Sequence, residues 1–144
     1  MKYKSFVLIF IFSLGLNQCS IAQYSEEDAL KMIKGFYYNY ISEVAGDNPP
    51  FVMEQNLDLL RRKHCTARMS ESLGIIVENT EADAFLKVQD VSIESLETLN
   101  VKRDTIGSNQ YVISYYDVYS QKVILIKLVI VNSSNGLKID EIVS

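Results

Sequence analysis

Past Asp90 the apolar residues of this 144-residue chain change their period, and that change limits what the chain can fold into. Upstream they recur every three to four positions; downstream they alternate, in segments rich in Val, Ile, Tyr and Thr. Residues 92–103, 110–119, 122–132 and 137–143 read as strands, parted by short turns at 105–109, Ser120-Gln121 and 133–136. A parallel crossover needs roughly a dozen residues or more, so connections this short make the strands antiparallel neighbours. A sheet of this kind has an apolar face that some other element must cover.

The cover is upstream. Leu30, Ile33, Phe36, Tyr37, Tyr40, Ile41 and Val44 are spaced by three and four, which lays one wide apolar stripe along a helix spanning 25–45. Ser25 with Asp28 three residues on makes a capping-box-like start, and Glu26 and Glu27 put acid in the first turn. Gly46-Asp47-Asn48-Pro49-Pro50 ends the helix. A second helix is expected over 51–64, with Met53, Leu57 and Leu60 inward, and a short third over 67–73. The expected class is α+β: a long N-terminal helix and one or two shorter ones on a curved, cone-like, four-stranded antiparallel sheet. Neither an internal repeat nor a linker divides it.

The N-terminus reads as a processing signal. Lys2 and Lys4 precede an apolar run over 6–12 that continues through Leu14, Gly15 and Leu16. Such a run falls short of the roughly 20 residues needed to span a bilayer, and with its basic start it has the form of a secretory signal peptide. Ser20-Ile21-Ala22 places small residues for cleavage before Gln23, leaving 23–144 as one exported domain, periplasmic or secreted, with no membrane span. Lipoprotein maturation at Cys19 is the rival; the bulky Gln18 beside that cysteine argues against it. Cleavage leaves Cys65 alone, so no intramolecular disulfide forms and the core must hold the fold.

Composition narrows the function classes. With 48% apolar and 22% charged residues, and only two prolines and six glycines, the chain is neither disordered nor collagen-like. A formal charge of −4 and a pI near 5.0 give no electrostatic footprint for nucleic acid. One histidine and two cysteines leave too little for a soft-ligand metal site, and no cofactor is expected.

Three segments carry a resemblance: Phe36-Tyr37-Tyr38-Asn39-Tyr40-Ile41, then 82–90 (Ala-Asp-Ala-Phe-Leu-Lys-Val-Gln-Asp), then Gly136-Leu137-Lys138-Ile139-Asp140-Glu141-Ile142. Together, and in this order, they resemble a domain of unknown function found in exported proteins of Gram-negative bacteria. That domain belongs to the cystatin-like and nuclear-transport-factor-2-like structural group. The chain departs from the pattern at Leu137, where tryptophan is usual, and at Ala84, where proline is common. The resemblance implies a cone of sheet around the long helix and brings no catalytic residues with it.

Candidate chemistry rests on the residues themselves. His64-Cys65 sets a base beside a nucleophile in sequence, but helix neighbours point about 100° apart, and a helix-end histidine with a buried free thiol is the plainer reading. Arg61-Arg62-Lys63 is either an anion site or a cationic helix C-terminus. The tyrosines form two clusters, Tyr37, Tyr38 and Tyr40 on the helix and Tyr111, Tyr115, Tyr116 and Tyr119 on a strand. A two-residue turn at Ser120-Gln121 would pair Asp117 with Ile124 and set Ile113, Tyr115 and Asp117 on one apolar face. Asp117 would then face the interior or the mouth of the cone, where a carboxylate paired with Tyr40 or Tyr115 suits ketosteroid-isomerase-like chemistry.

Two function classes follow. The first is a non-enzymatic exported binding module for a protein or small ligand, including an immunity-type inhibitor that neutralises a toxin; it would work through the opposite sheet face, at Tyr116 with Ser114 and Lys127. The second is a small-molecule carrier or enzyme with a pocket at the open end of the cone, built on Asp117, Tyr115 and Tyr40. A filled cone favours the first, and a homodimer is compatible with either.

Overall fold

A computed structural model describes residues 24–143. The expected signal peptide, its cleavage before Gln23 and the lipoprotein cysteine Cys19 lie outside the described residues. The fold is α+β: three helices, α1 (Glu26–Val44), α2 (Pro50–His64) and α3 (Ala67–Thr80), precede a 3-10 helix (Ile93–Thr98) and four strands. The strands β1 (Asn100–Arg103), β2 (Gln110–Asp117), β3 (Lys122–Ser133) and β4 (Gly136–Val143) form one open antiparallel meander, ordered β1-β2-β3-β4.

Local chemistry fixes the ends of the elements. The Asp28 amide donates to Ser25 Oγ at 3.1 Å and the Ser25 amide donates to the Asp28 carboxylate at 2.9 Å, closing the capping box of α1. Pro50 opens α2, where its missing N–H is one of the donors a helix start leaves unpaired. The apolar stripe of α1 lies on the inner sheet face: Ile33, Phe36, Tyr37, Tyr40 and Ile41 are buried with Ile113, Tyr115, Ile126, Leu128 and Ile139.

The chain continues β4 through a bulge. Between Val129 and Ile130 the pairing with β4 shifts, leaving Asp140 without an opposite residue. Ile139 and Ile142, three apart rather than two, are therefore both buried. The displaced Asp140 turns outward, accepting from Thr66 Oγ1 at 2.8 Å and pairing with Arg68 at the start of α3.

Three expectations need correction. The third helix runs to Thr80, well past 73, although Ile75, Ile76 and Val77 are indifferent helix formers. It is tied by the Met69 amide donating to Thr66 Oγ1, by Arg68 to β4, and by Met69, Leu73 and Ile76 packing on the core, so tertiary contacts outweigh propensity. The first strand does not begin at 92, because Ile93–Thr98 is a 3-10 helix. Its side chains replace a strand partner: Ser95 Oγ donates to the Tyr116 carbonyl at 3.0 Å, and the Tyr116 amide donates to Thr98 Oγ1 at 2.8 Å. The β2–β3 connection is also longer than two residues. β2 stops at Asp117 rather than 119, Asp117 opposes Lys122, and Tyr115 takes the place opposite Ile124. The pairing has slipped by two, an even number, so every side chain keeps its face.

Candidate functional site

The inner face of the β2–β3 hairpin meets an aromatic cluster. The Phe36 ring lies 5.5 Å from Tyr37, 5.3 Å from Tyr40 and 5.0 Å from Phe85, and the Tyr40 ring is 5.3 Å from Phe85. Rings at these separations and tilts are close-packed, and they fill the space between α1 and the sheet.

The hydroxyls of Tyr40 and of Tyr115 on β2 converge on one turn. Tyr40 donates to Asp83 Oδ2 at 2.8 Å, and Tyr115 donates to the Leu86 carbonyl at 2.6 Å. Asp83 Oδ1 accepts the amides of Phe85 and Leu86 at 2.8 and 3.0 Å, so one carboxylate folds the turn and anchors it to α1. Burial pushes the Asp83 pKa up, against the pull of those three donors and of nearby Arg61. The phenols of Tyr37, Tyr40 and Tyr115 are raised too, chiefly by burial and then by neighbouring carboxylates, so they remain protonated donors. Tyr37 Oη is buried with no hydrogen-bond partner among the described residues.

Asp117 is 1% exposed on the inner face of β2. Its Oδ2 accepts the Ser120 amide at 2.8 Å, closing the loop before β3, and its Oδ1 is buried without a partner among the described residues. The three interior candidates are therefore not one constellation: Tyr40 serves Asp83, Tyr115 serves Leu86, and Asp117 serves Ser120. The clefts on the surface lie elsewhere. One of about 400 Å³ lies near the start of α1, one of about 380 Å³ lies between α1 and α2, and one of about 310 Å³ lies between α3 and the 82–87 turn. Asp117, Tyr115 and Tyr40 line none of these three.

Two further sequence features resolve into structure. The His64 ring packs at 5.7 Å from Phe36, and Cys65 is buried with its thiol pushed up to about 12 by desolvation, so no thiolate is poised for attack. Arg61 pairs with Glu54, Arg62 with Asp58 at 2.7 Å, and Lys63 lines the cleft between α1 and α2, so the basic run is dispersed around its helix. Among the described residues no group of three or more His, Cys, Asp or Glu is placed to hold a metal ion, and no helix is long and apolar enough to cross a membrane.

The outer face of the same hairpin differs. Tyr116 opposes Val123, Ser114 opposes Leu125 and Val112 opposes Lys127. Tyr116 is 39% exposed, Val123 62% and Leu125 60%, a contiguous apolar and aromatic patch on four cross-strand neighbours. Lys127 stands at its edge with its ammonium 2.9 Å from the Asp104 carboxylate. Tyr116, Ser114 and Lys127 thus share one face. Val123 and Leu125, the most exposed members, are absent from the sequence-derived set because alternation alone does not reveal that, among the described residues, no helix covers this side. Asp83 is absent from it as well; its signal in the sequence is an Asp two residues before an apolar pair, the pattern of an Asx-turn.

No family model matches this chain, and no curated protein matches it. Its fold is similar to the crystal structure of a protein of unknown function from Bacteroides thetaiotaomicron, with a TM-score of 0.74 and 24% identity over 83% of this chain and 91% of that one. At that identity the likeness is one of fold.

Proposed function

We propose that the chain is an exported, non-enzymatic binding module that takes a protein partner on the open face of the β2–β3 hairpin. The observation that carries this is the patch of Tyr116, Val123 and Leu125, left uncovered among the described residues on strands whose other face carries the buried core. Large apolar side chains held by a sheet offer contact area with little rotamer entropy left to lose, and tyrosine supplies a hydroxyl for the rim. The three-motif resemblance supports placing the fold in the cystatin-like and nuclear-transport-factor-2-like group. The finer form of the reading is an immunity-type inhibitor, for which an acidic chain with a rigid apolar patch suits a basic toxin. A carrier or enzyme built on Asp117 is disfavoured, since that carboxylate is enclosed and apart from the clefts described above.

A photo-crosslinking residue placed at Leu125 in the tagged protein, expressed in its own host, tests the reading. One protein species should be trapped there, and with the crosslinker at the neighbouring Val123 it should be lost when Tyr116→Ala and Leu125→Lys are combined in a folded variant. Recovery of the same species by the double variant, with the crosslinker moved to a helix, would sink it. Export is tested by intact mass: the protein should begin at Gln23, and a diacylglyceryl increment on Cys19 would overturn cleavage at that point.

A further inference from the structure

We infer that the cleft beside the start of α1 binds a small carboxylate with an apolar body, held by Arg103. This cleft, about 400 Å³, lies within the range of small-molecule sites and at the opposite end of the hairpin from Asp117, so the inference is independent of the partner surface. Ala29, Ile130 and Leu137 give it an apolar wall, while Tyr24 and Ser108 give it hydroxyls.

Arg103 is the only cation among the described residues that line the cleft, and it is held in place. Its Nη2 donates to the Tyr111 hydroxyl at 3.1 Å, its Nη1 sits 3.0 Å from Glu26 Oε2, and its guanidinium carbon lies 5.6 Å from the centre of the Tyr111 ring. Tyr111 is itself buried at 2% exposure, so the stacking partner does not move. The Nε donor, however, is buried with no partner among the described residues. An unpaired guanidinium N–H is an unmet demand for an acceptor, and a carboxylate bridging Nε and a neighbouring Nη satisfies it in the fork geometry that arginine favours.

Glu26 indicates the chemistry of the ligand. It already sets a carboxylate against this guanidinium, yet it is half exposed, and an ion pair in that setting is weakly held. Glu26 lines the neighbouring cleft rather than this one, so a ligand carboxylate that also gains the apolar wall competes with it for the charge of the guanidinium, not for its place. Phosphate fits less well, because a dianion asks for more donors than one guanidinium supplies and enters an acidic protein against its net charge of −4.

Benzoate serves as the probe, with benzamide and inorganic phosphate as contrasts, in thermal-shift and calorimetric titrations of the folded chain. Benzoate should bind with a saturable rise in Tm, benzamide and phosphate should not, and the amide signals of Ser108 and Asn109 should move in the NMR spectrum. Arg103→Lys keeps the charge but loses the fork and should weaken benzoate about tenfold. Glu26→Gln removes the competing carboxylate and should tighten benzoate several-fold, a result that survives even if Arg103 variants fail to fold. Absence of benzoate binding, equal binding of benzamide or phosphate, or a Glu26→Gln variant that binds no better would each overturn the assignment.

Discussion

The two faces of the β2–β3 hairpin are made by the same strands and the same residue types, yet they have opposite fates. Inside, Ile113, Tyr115, Ile126 and Leu128 are at most 1% exposed; outside, Val123 and Leu125 are about three-fifths exposed. Composition does not separate Leu125 from Ile126, so neither hydrophobicity nor strand propensity decides burial. The position of α1 does. Its apolar stripe covers one side of a sheet whose other side carries no second layer among the described residues. The difference shows that an apolar side chain on a single-layered sheet carries information only once the location of the helix is known. The inner residues account for the fold, whereas the outer ones are free to have another use.

The comparison breaks most easily at the core. Phe36→Ala and Ile126→Ala should each lower the unfolding free energy by about 2–5 kcal/mol in urea melts, the range for large truncations in packed interiors. A loss below about 1 kcal/mol at both sites would mean the inner face is not the core. The polar members of the interior come next. Tyr115→Phe deletes only a hydroxyl but leaves the buried Leu86 carbonyl without its donor, and should lose about 1–2 kcal/mol in the same assay.

Asp83 sharpens the comparison through pH. Its folded pKa lies above the 3.8 of a free aspartate, so the native state holds this proton more tightly than the unfolded chain does. Its contribution is therefore fully present at pH values below 3.8 and declines as pH rises through the elevated folded value. Urea melts of the protein and of Asp83→Asn, run from pH 3.5 to 7, should show the wild type losing stability relative to the variant as pH rises. A difference that is flat, or that grows with pH, would contradict the buried setting of this carboxylate. The smallest effect belongs outside: Leu125→Ala should change stability by less than about 0.5 kcal/mol in dilute protein. A larger loss that grows with protein concentration would show that copies of the chain cover this face themselves.

The general form of the molecule was legible because it rests on periods and turn lengths. The α1 stripe, its capping box and the antiparallel order all follow from local spacing, and the face of each β2 residue survived because the register slipped by an even number. What escaped was set by contacts distant in sequence. Ser95 and Thr98 look like ordinary strand residues until they meet the backbone of Tyr116. The length of α3 depends on Arg68 reaching Asp140, more than 70 residues away. The hairpin loop is closed by the Asp117 side chain rather than by glycine or asparagine, so turn statistics misplace it. At the site, the outer patch members Tyr116, Ser114 and Lys127 were placed together by alternation. The partners of Tyr40 and Tyr115 were not, because they lie in the irregular 82–87 turn.

The two hydroxyls that cap Tyr116 also decide how a visitor can dock. A sheet ordinarily recruits extended peptides along its free margin, where open amides and carbonyls accept another strand. Here the last stretch of β2 beyond the end of β1 has its amide and its carbonyl occupied by Thr98 and Ser95, so no extended peptide can pair with Tyr116 along that margin. A protein that recognises this end of the molecule must therefore approach it broadside and read side chains. Its specificity then lies in shape and aromatic contact, and the same plug keeps neighbouring copies from growing strand upon strand there.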